Sequence, residues 1–164
     1  MITLDAIKKR SSIREYKPEL IEQSILETLV DAGRVAPSAR AVEPLEFIVV
    51  TDKKILSEIS LLAPNGKFIE DAAAGIVIYS ADTKYFLEDG SAATENILLL
   101  AADLGLGACW IAGDKKPYDA DIKKLLNVPE ALKLISIISL GWTKYESPQK
   151  KSRELKDVIH WEEF

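Results

Sequence analysis

Residues 89–105 constrain this chain more than any other stretch. Ala92, Ala93, Ile97, Leu98, Leu99, Leu100, Ala101, Ala102 and Leu104 cover most of the circumference of one helix. A helix that is apolar nearly all round has no face to give to water, so it lies in a core or in a subunit interface. Its densest run, Ile97 to Ala102, is six residues long and far too short to span a bilayer. Gly105 or Gly107 supplies its C-terminal cap.

The other elements must surround that helix. Residues 3–10 read as a short helix with Thr3 as N-cap, and 19–36 as a second, with an apolar face of Ile21, Ile25, Leu26, Leu29, Val30 and Ala32. Pro37 stops the second helix, and 37–44 is a loop between two prolines. Residues 47–51 and 75–80 read as buried strands. Between them, 53–62 and 66–73 read as short helices split by the turn Pro64-Asn65-Gly66. Residues 108–112 are a third strand, 118–127 a helix and 132–142 a fourth strand. In that last strand Ile135, Ile137, Ile138 and Leu140 mix alternation with continuous burial. The polar C-terminal tail, 145–164, ends in His160-Trp161-Glu162-Glu163-Phe164, and its aromatics suit docking on a partner subunit. The 164 residues carry no repeat and no linker, so 1–164 is one domain with enough chain for a core. Alternation of strands and helices alone suggests a parallel α/β sheet, although four strands also suit a mixed sheet.

Two small counts narrow the chemistry. There is one Cys, Cys109, and one His, His160. An intrachain disulfide, a CxxC motif and the usual zinc ligand sets are therefore excluded within one chain. A Ser-His-Asp triad would depend on His160, close to the end. An enzyme without this equipment relies on a cofactor. The net charge of −5 argues against a broad nucleic-acid surface, so an anionic ligand needs a local basic cluster. Met1-Ile2-Thr3-Leu4-Asp5 has no apolar signal region, which makes a soluble cytoplasmic protein the expectation.

Four segments could hold a ligand. Arg10-Ser11-Ser12-Ile13-Arg14 offers two guanidinium groups and two hydroxyls for a phosphate. Its plainer reading is a basic helix end followed by turn formers. Pro37-Ser38-Ala39-Arg40 is a loop of small residues that lets backbone approach a flat ligand, or simply a helix stop. Gly105-Leu106-Gly107 precedes a strand, and Trp110 stands where a dinucleotide fingerprint needs its third Gly, so it is not a Rossmann turn. Ala112 and Gly113, at the end of that strand, can still offer backbone N–H groups. Lys150-Lys151-Ser152-Arg153 could complete a phosphate site or be a solvated basic run. Cys109 reads as a small buried hydrophobe, and His160 as a surface or interface residue. Asp89 and Glu95 could act as acid or base, but more simply are a helix N-terminal charge and an exposed face.

Taken in order, these segments resemble the FMN-dependent nitroreductase family. The resemblance runs over nearly the whole chain: Arg10-Ser11-Ser12-Ile13-Arg14, Pro37-Ser38-Ala39 with Pro44, the apolar helix into Gly105-Leu106-Gly107, Cys109-Trp110-Ile111, Leu140-Gly141-Trp142 and Lys151-Ser152-Arg153. It implies an α+β homodimer with a mixed, mainly antiparallel sheet flanked by helices. The apolar helix would form the dimer interface, with FMN between the subunits. That replaces the parallel-sheet expectation.

By the same resemblance, Arg10, Ser11 and Ser12 would bind the FMN phosphate and ribityl chain, and Arg14 would face the pyrimidine edge. Pro37, Ser38, Ala39 and Ala41 belong to a loop that would reach FMN from the other subunit. Ala112 and Gly113 N–H groups would lie near N5 and O4, and Lys151 and Arg153 would close on the phosphate. Lys67, or its neighbour Asn65, would touch the flavin. The family loop reads Pro-Ser-x-x-Asn-x-Gln-Pro, and Ala41 and Glu43 depart from it. The chain also lacks the long insertion that often covers the flavin. The implied reaction is ping-pong: NADH or NADPH passes a hydride to flavin N5, and a small planar acceptor, nitroaromatic or quinone-like, is then reduced. The alternatives are the same fold with other chemistry, such as reductive dehalogenation or flavin breakdown, or a flavin carrier or sensor with little turnover.

Overall fold

The computed structural model describes residues 3–145 and 151–164. Met1, Ile2 and Lys150 lie outside them, together with the rest of 146–149. Among the described residues five α-helices and four strands follow in order: α1 (Thr3–Lys9), α2 (Gln23–Arg34), β1 (Leu45–Val50), α3 (Lys53–Leu62), β2 (Ala74–Ser80), α4 (Phe86–Asp103), β3 (Leu106–Ala112), α5 (Asp119–Leu126) and β4 (Lys133–Trp142). The four strands form one sheet in the order β1-β2-β4-β3, and every neighbouring pair is antiparallel. The parallel arrangement suggested by alternation is therefore wrong, and the α+β expectation holds. Among the described residues, parallel pairing enters at a single bridge, Ser12 with Ala108.

Helices cover both faces of the sheet, so there are two cores. Val77, Tyr79, Ile111 and Ile137 pack with Leu56, Ile59, Ile69 and Ile122 on one face. Ile76, Ile78, Ala108, Ile138 and Leu140 pack with Leu26, Leu29, Ile97 and Leu98 on the other. The central strands β2 and β4 are buried almost throughout because neither face meets water. β1 is an edge strand and only partly buried, with Val49 41% exposed, so the expectation of a buried strand there is corrected.

The mixed pattern of β4 has a cause in pairing. Ile78 pairs with Ser136 but Tyr79 with Leu134, which leaves Ile135 as the extra residue of a β-bulge. The bulge turns both Ile135 and Ser136 toward α4. There Ser136 Oγ lies 2.8 Å from Thr94 Oγ1, and a Cβ added to Gly90 would stand 2.6 Å from Ile135. The helix sits close on the sheet at that point because Gly90 has no side chain.

Several boundaries shift for local reasons. α2 begins at Gln23, not near 19, because Lys17 N–H donates to Trp142 O and Trp142 Nε1 donates to Leu20 O. Those bonds hold 17–20 against the end of β4. The expected helix 66–73 and the turn before it are one irregular 3₁₀ stretch, Pro64–Asp71, interrupted at Gly66. α4 starts three residues earlier than expected, and Gly105, at φ 81°, is its cap. Gly107 has another task, described below.

Along α4 most side chains are at least half-buried, and Glu88 and Glu95 are exposed. Ala92, Leu99 and Leu100 are only partly covered by the chain's own α1, α2 and sheet. The tail, 151–164, is exposed throughout, with Leu155 at 73%, Trp161 at 76% and Phe164 fully exposed.

Candidate functional site

The basic segment 10–14 is pinned to β3 by its alternate residues. Arg10 N–H closes α1 on Ala6 O at 2.9 Å. Ile13 N–H then donates to Ala108 O at 3.0 Å, and the Ile13 side chain fills the notch at Gly107, where a Cβ would come within 2.6 Å of it. Tyr16 lies flat on Gly141 in the same way, its ring 2.7 Å from where a Cβ would stand. The Tyr16 hydroxyl donates to Ile13 O at 2.8 Å and shares a 2.6 Å bond with Ser139 Oγ. In extended chain, burying Ile13 turns Ser12 and Arg14 outward, and both are exposed. Gly107 and Gly141 therefore serve the site indirectly, by letting this segment lie close on the sheet.

Arg10 and Arg14 both lie close to Cys109 on this wall. Arg14 stacks its guanidinium 5.5 Å from the ring centre of Phe68, the neighbour of exposed Lys67. Arg10 is 19% exposed and its Nε lies 3.5 Å from Glu95 Oε1 on α4. Cys109 is 2% exposed, and burial pushes its thiol up, although the nearby Arg14 pulls the other way. That fits an inert core residue. Phe68 had no signal of its own in the sequence beyond its place beside Lys67.

The end of β3 divides the two expected amide donors. Gly113 N–H donates to Ile135 O at 3.1 Å, so its donor is used inside the sheet. A Cβ at Gly113 would stand 2.7 Å from Ile135 C and 2.8 Å from Ile135 O, which explains the glycine by close approach. Ala112 belongs to the alternate kind of pair. Its carbonyl accepts from the Tyr118 hydroxyl and that of Ala108 accepts from Ile13, both from the outer edge of the sheet. Residues of such pairs turn N–H and C=O away from the paired strand, so the Ala112 amide faces outward.

The loop 37–44 leads from the end of α2 to β1. Ser38 and Ala39 are half-buried, and Pro37 and Ala41 exposed. Arg40, Ala41 and Glu43 all take left-handed conformations, φ 60°, 52° and 51°. For non-glycine residues that costs roughly 1–2 kcal/mol each. Two bonds close the loop on Ser38: Ala41 N–H to Ser38 O and Glu43 N–H to Ser38 Oγ, both at 3.1 Å. Asp89, one of the two carboxylates considered as acid or base, instead accepts the Ala39 N–H at 3.0 Å. The other, Glu95, is the partner of Arg10.

Lys151 and Arg153 lie on the exposed tail, where Arg153 donates to Asp157 O. His160 stacks on Phe164, with ring centres 4.2 Å apart. Among the described residues no cluster of His, Cys, Asp and Glu could hold a metal ion, and no helix is long and apolar enough to cross a membrane.

Comparison with known proteins bears on the fold and the family. The nitroreductase family model matches residues 7–84 and 60–142. A protein of Archaeoglobus fulgidus, provisionally named NADH dehydrogenase/NAD(P)H nitroreductase, is 35% identical over 171 residues, covering 98% of this chain and 98% of its own. A solved structure of the same provisional name from Bacteroides thetaiotaomicron superposes with TM-score 0.93 at 30% identity, over 100% of this chain and 99% of that one. An FMN-dependent nitroreductase from Clostridium difficile does so with TM-score 0.89 at 33% identity, over 98% and 99%. The family model, the relative of 35% identity and the shared fold together show that the chain belongs to the nitroreductase family.

Proposed function

We propose that this chain is an FMN-dependent NAD(P)H oxidoreductase of nitroreductase type, acting on small planar acceptors such as nitroaromatics or quinones. The observation that carries the reading is the outward alignment of Ser12 and Arg14, with Arg10 behind them, on a segment bonded to β3. The donor set suits FMN. Guanidinium and hydroxyl groups are the partners a phosphate needs, and the Ala112 amide is a further donor facing out from the same strand. FMN, when bound, supplies the hydride chemistry at N5.

The chain's own residues bind and orient. Arg10, Ser11 and Ser12 hold the phosphate and ribityl chain, and Glu95 keeps the Arg10 side chain aligned until the phosphate takes over that role. Arg14, held against Phe68, presents a fixed positive charge to the pyrimidine edge, where negative charge gathers on reduction. Ala112 donates to the flavin edge. Gly113 contributes by close packing, because its own N–H is already used. Lys67 approaches from the 3₁₀ stretch beside Phe68. Protons for the acceptor come from water, so the reaction needs neither Cys109 nor His160. A cytoplasmic setting, where NADH and NADPH are at hand as reductants, belongs to the same proposal.

The reading includes a homodimer. Leu99 and Leu100 on α4 are half-covered, and Leu4, Ile7, Leu104 and Trp110 around it are exposed by 53%, 45%, 39% and 37%. A second copy laid on α4 would bury them. It would also bring Pro37, Ser38, Ala39 and Ala41 of one protomer to the flavin of its partner, and give the tail, with Lys151, Arg153 and its exposed Leu155, Trp161 and Phe164, a surface to dock on.

The test is an anaerobic titration of purified protein with NADH and NADPH. Yellow protein with one FMN per chain, bleached by either coenzyme, is expected. A preparation that gains no flavin absorbance with added FMN would overturn the reading, and flavin that is bound but not bleached would leave a carrier. Sedimentation equilibrium should give twice the chain mass.

A further inference from the structure

We propose that Asp89 is the positioning residue of the 37–44 loop, and that helix α4 sets the loop and the Arg10 wall from one rigid element. The proposal rests on the flavin reading above for its consequence, but not for its geometry.

An acid in the first turn of a helix ordinarily stays in water and faces the helix dipole. Glu88 does so and is exposed. Asp89 does not: it is 6% exposed, and its Oδ1 accepts the Ala39 N–H from a loop fifty residues away in sequence. That loop cannot place itself. Its left-handed residues Arg40, Ala41 and Glu43 lack glycine's freedom, and conformations of this kind persist only where surrounding structure over-determines them. The two bonds to Ser38 fix the loop's shape, because both ends of each lie within the loop. At its far end Pro44 O accepts from Ala81 N–H. Between Ser38 and Glu43, the Asp89 bond is the one among the described hydrogen bonds that ties the loop to the body of the protein.

The same helix holds the basic segment. Glu95, on α4, meets Arg10. Asp89 and Glu95 are six residues apart, about 9 Å along a helix axis. One helix therefore sets where Ser38 and Ala39 stand for the partner's flavin, and where Arg10 stands for the chain's own.

The experiment compares Asp89→Ala with Asp89→Asn in the full-length protein. Asparagine keeps an acceptor oxygen at the same reach, whereas alanine removes it. Limited digestion of the FMN-free protein with trypsin reports the loop directly, because Arg40 is exposed within it. We expect Asp89→Ala to be cut after Arg40 several-fold faster than wild type, and Asp89→Asn at the wild-type rate. FMN binding, followed by fluorescence quenching, should weaken by about tenfold in Asp89→Ala, the scale of one lost hydrogen bond to a charged group, and recover in Asp89→Asn. Should Asp89→Ala not fold, Asp89→Ser, whose hydroxyl is too short to reach, replaces it. Cleavage after Arg40 at the wild-type rate in the variant lacking the acceptor would overturn the positioning role. Faster cleavage with unchanged FMN affinity would overturn the link to the cofactor. Wild-type protein that binds no FMN would count against the flavin reading alone, since the digestion still tests the loop.

Discussion

Gly113→Ala tests how tightly the end of β3 must approach β4. A Cβ there would stand 2.6 Å from Leu134 Cγ, 2.7 Å from Ile135 C and 2.8 Å from Ile135 O. The leucine tip can turn away, but the Ile135 carbonyl cannot, because it belongs to the bulged strand and accepts the Gly113 N–H. Relieving the clash means separating the two backbones. That costs roughly 1–3 kcal/mol for forced overpacking, and about 1 kcal/mol more if the hydrogen bond is lost. The expected loss is therefore about 2–4 kcal/mol, or a fall in Tm of roughly 5–15 °C for a chain of this size. Gly105→Ala is the control. Nothing lies within 4 Å of its Cβ, but its φ of 81° is left-handed, so only conformational strain of about 1 kcal/mol is expected. Urea and thermal unfolding at one fixed protein concentration would measure both. If Gly113→Ala lost less than Gly105→Ala, the argument from close approach would be refuted.

Arg10→Ala should weaken FMN binding by about 1.5–3 kcal/mol, the scale of a charged hydrogen bond, and unchanged affinity by fluorescence titration would show that the phosphate site is elsewhere. Two buried tyrosines should behave oppositely. Tyr16→Phe removes bonds to Ile13 O and Ser139 Oγ and should cost roughly 1–3 kcal/mol, whereas Tyr79→Phe removes a hydroxyl with no partner among the described residues and should be neutral or stabilising in urea unfolding. Burial raises both phenol pKa values, so the folded chain holds these protons more tightly than the unfolded one. Stability from this source is complete below the ordinary tyrosine value of about 10 and falls as pH rises above it, a loss that each Phe variant should reduce in alkaline unfolding. The buried Cys109 thiol, pushed up by desolvation, should resist an aromatic disulfide reagent at mildly alkaline pH and react only on unfolding, while rapid labelling of native protein would contradict its burial.

What the sequence disclosed depended on whether a signal was local. The apolar wrap of 89–105 is local, and α4 does pack on the sheet and against α1 and α2, with Ala92, Leu99 and Leu100 left partly uncovered. The outward placement of Ser12 and Arg14 was also within reach, because apolar Ile13 between them must turn inward in extended chain. Strand direction was not local. Alternating strands and helices suit a parallel sheet as well as this antiparallel one, and the order β1-β2-β4-β3 is set by packing between distant segments. Distance also hid the partners of the acidic residues. Nothing in the sequence around Asp89 or Ala39 links them, and the bond between them exists only once α4 is docked over the bulge at Ile135. The departure at Ala41 shows the difference most directly. In sequence it is a missing side-chain amide. In the folded chain, position 41 is left-handed, a conformation that asparagine tolerates far better than alanine. The substitution therefore removes a backbone convenience as well as a hydrogen-bonding group. A loop that has given up the residue suited to its own shape depends more on what holds it from outside, and in this chain that support comes from α4.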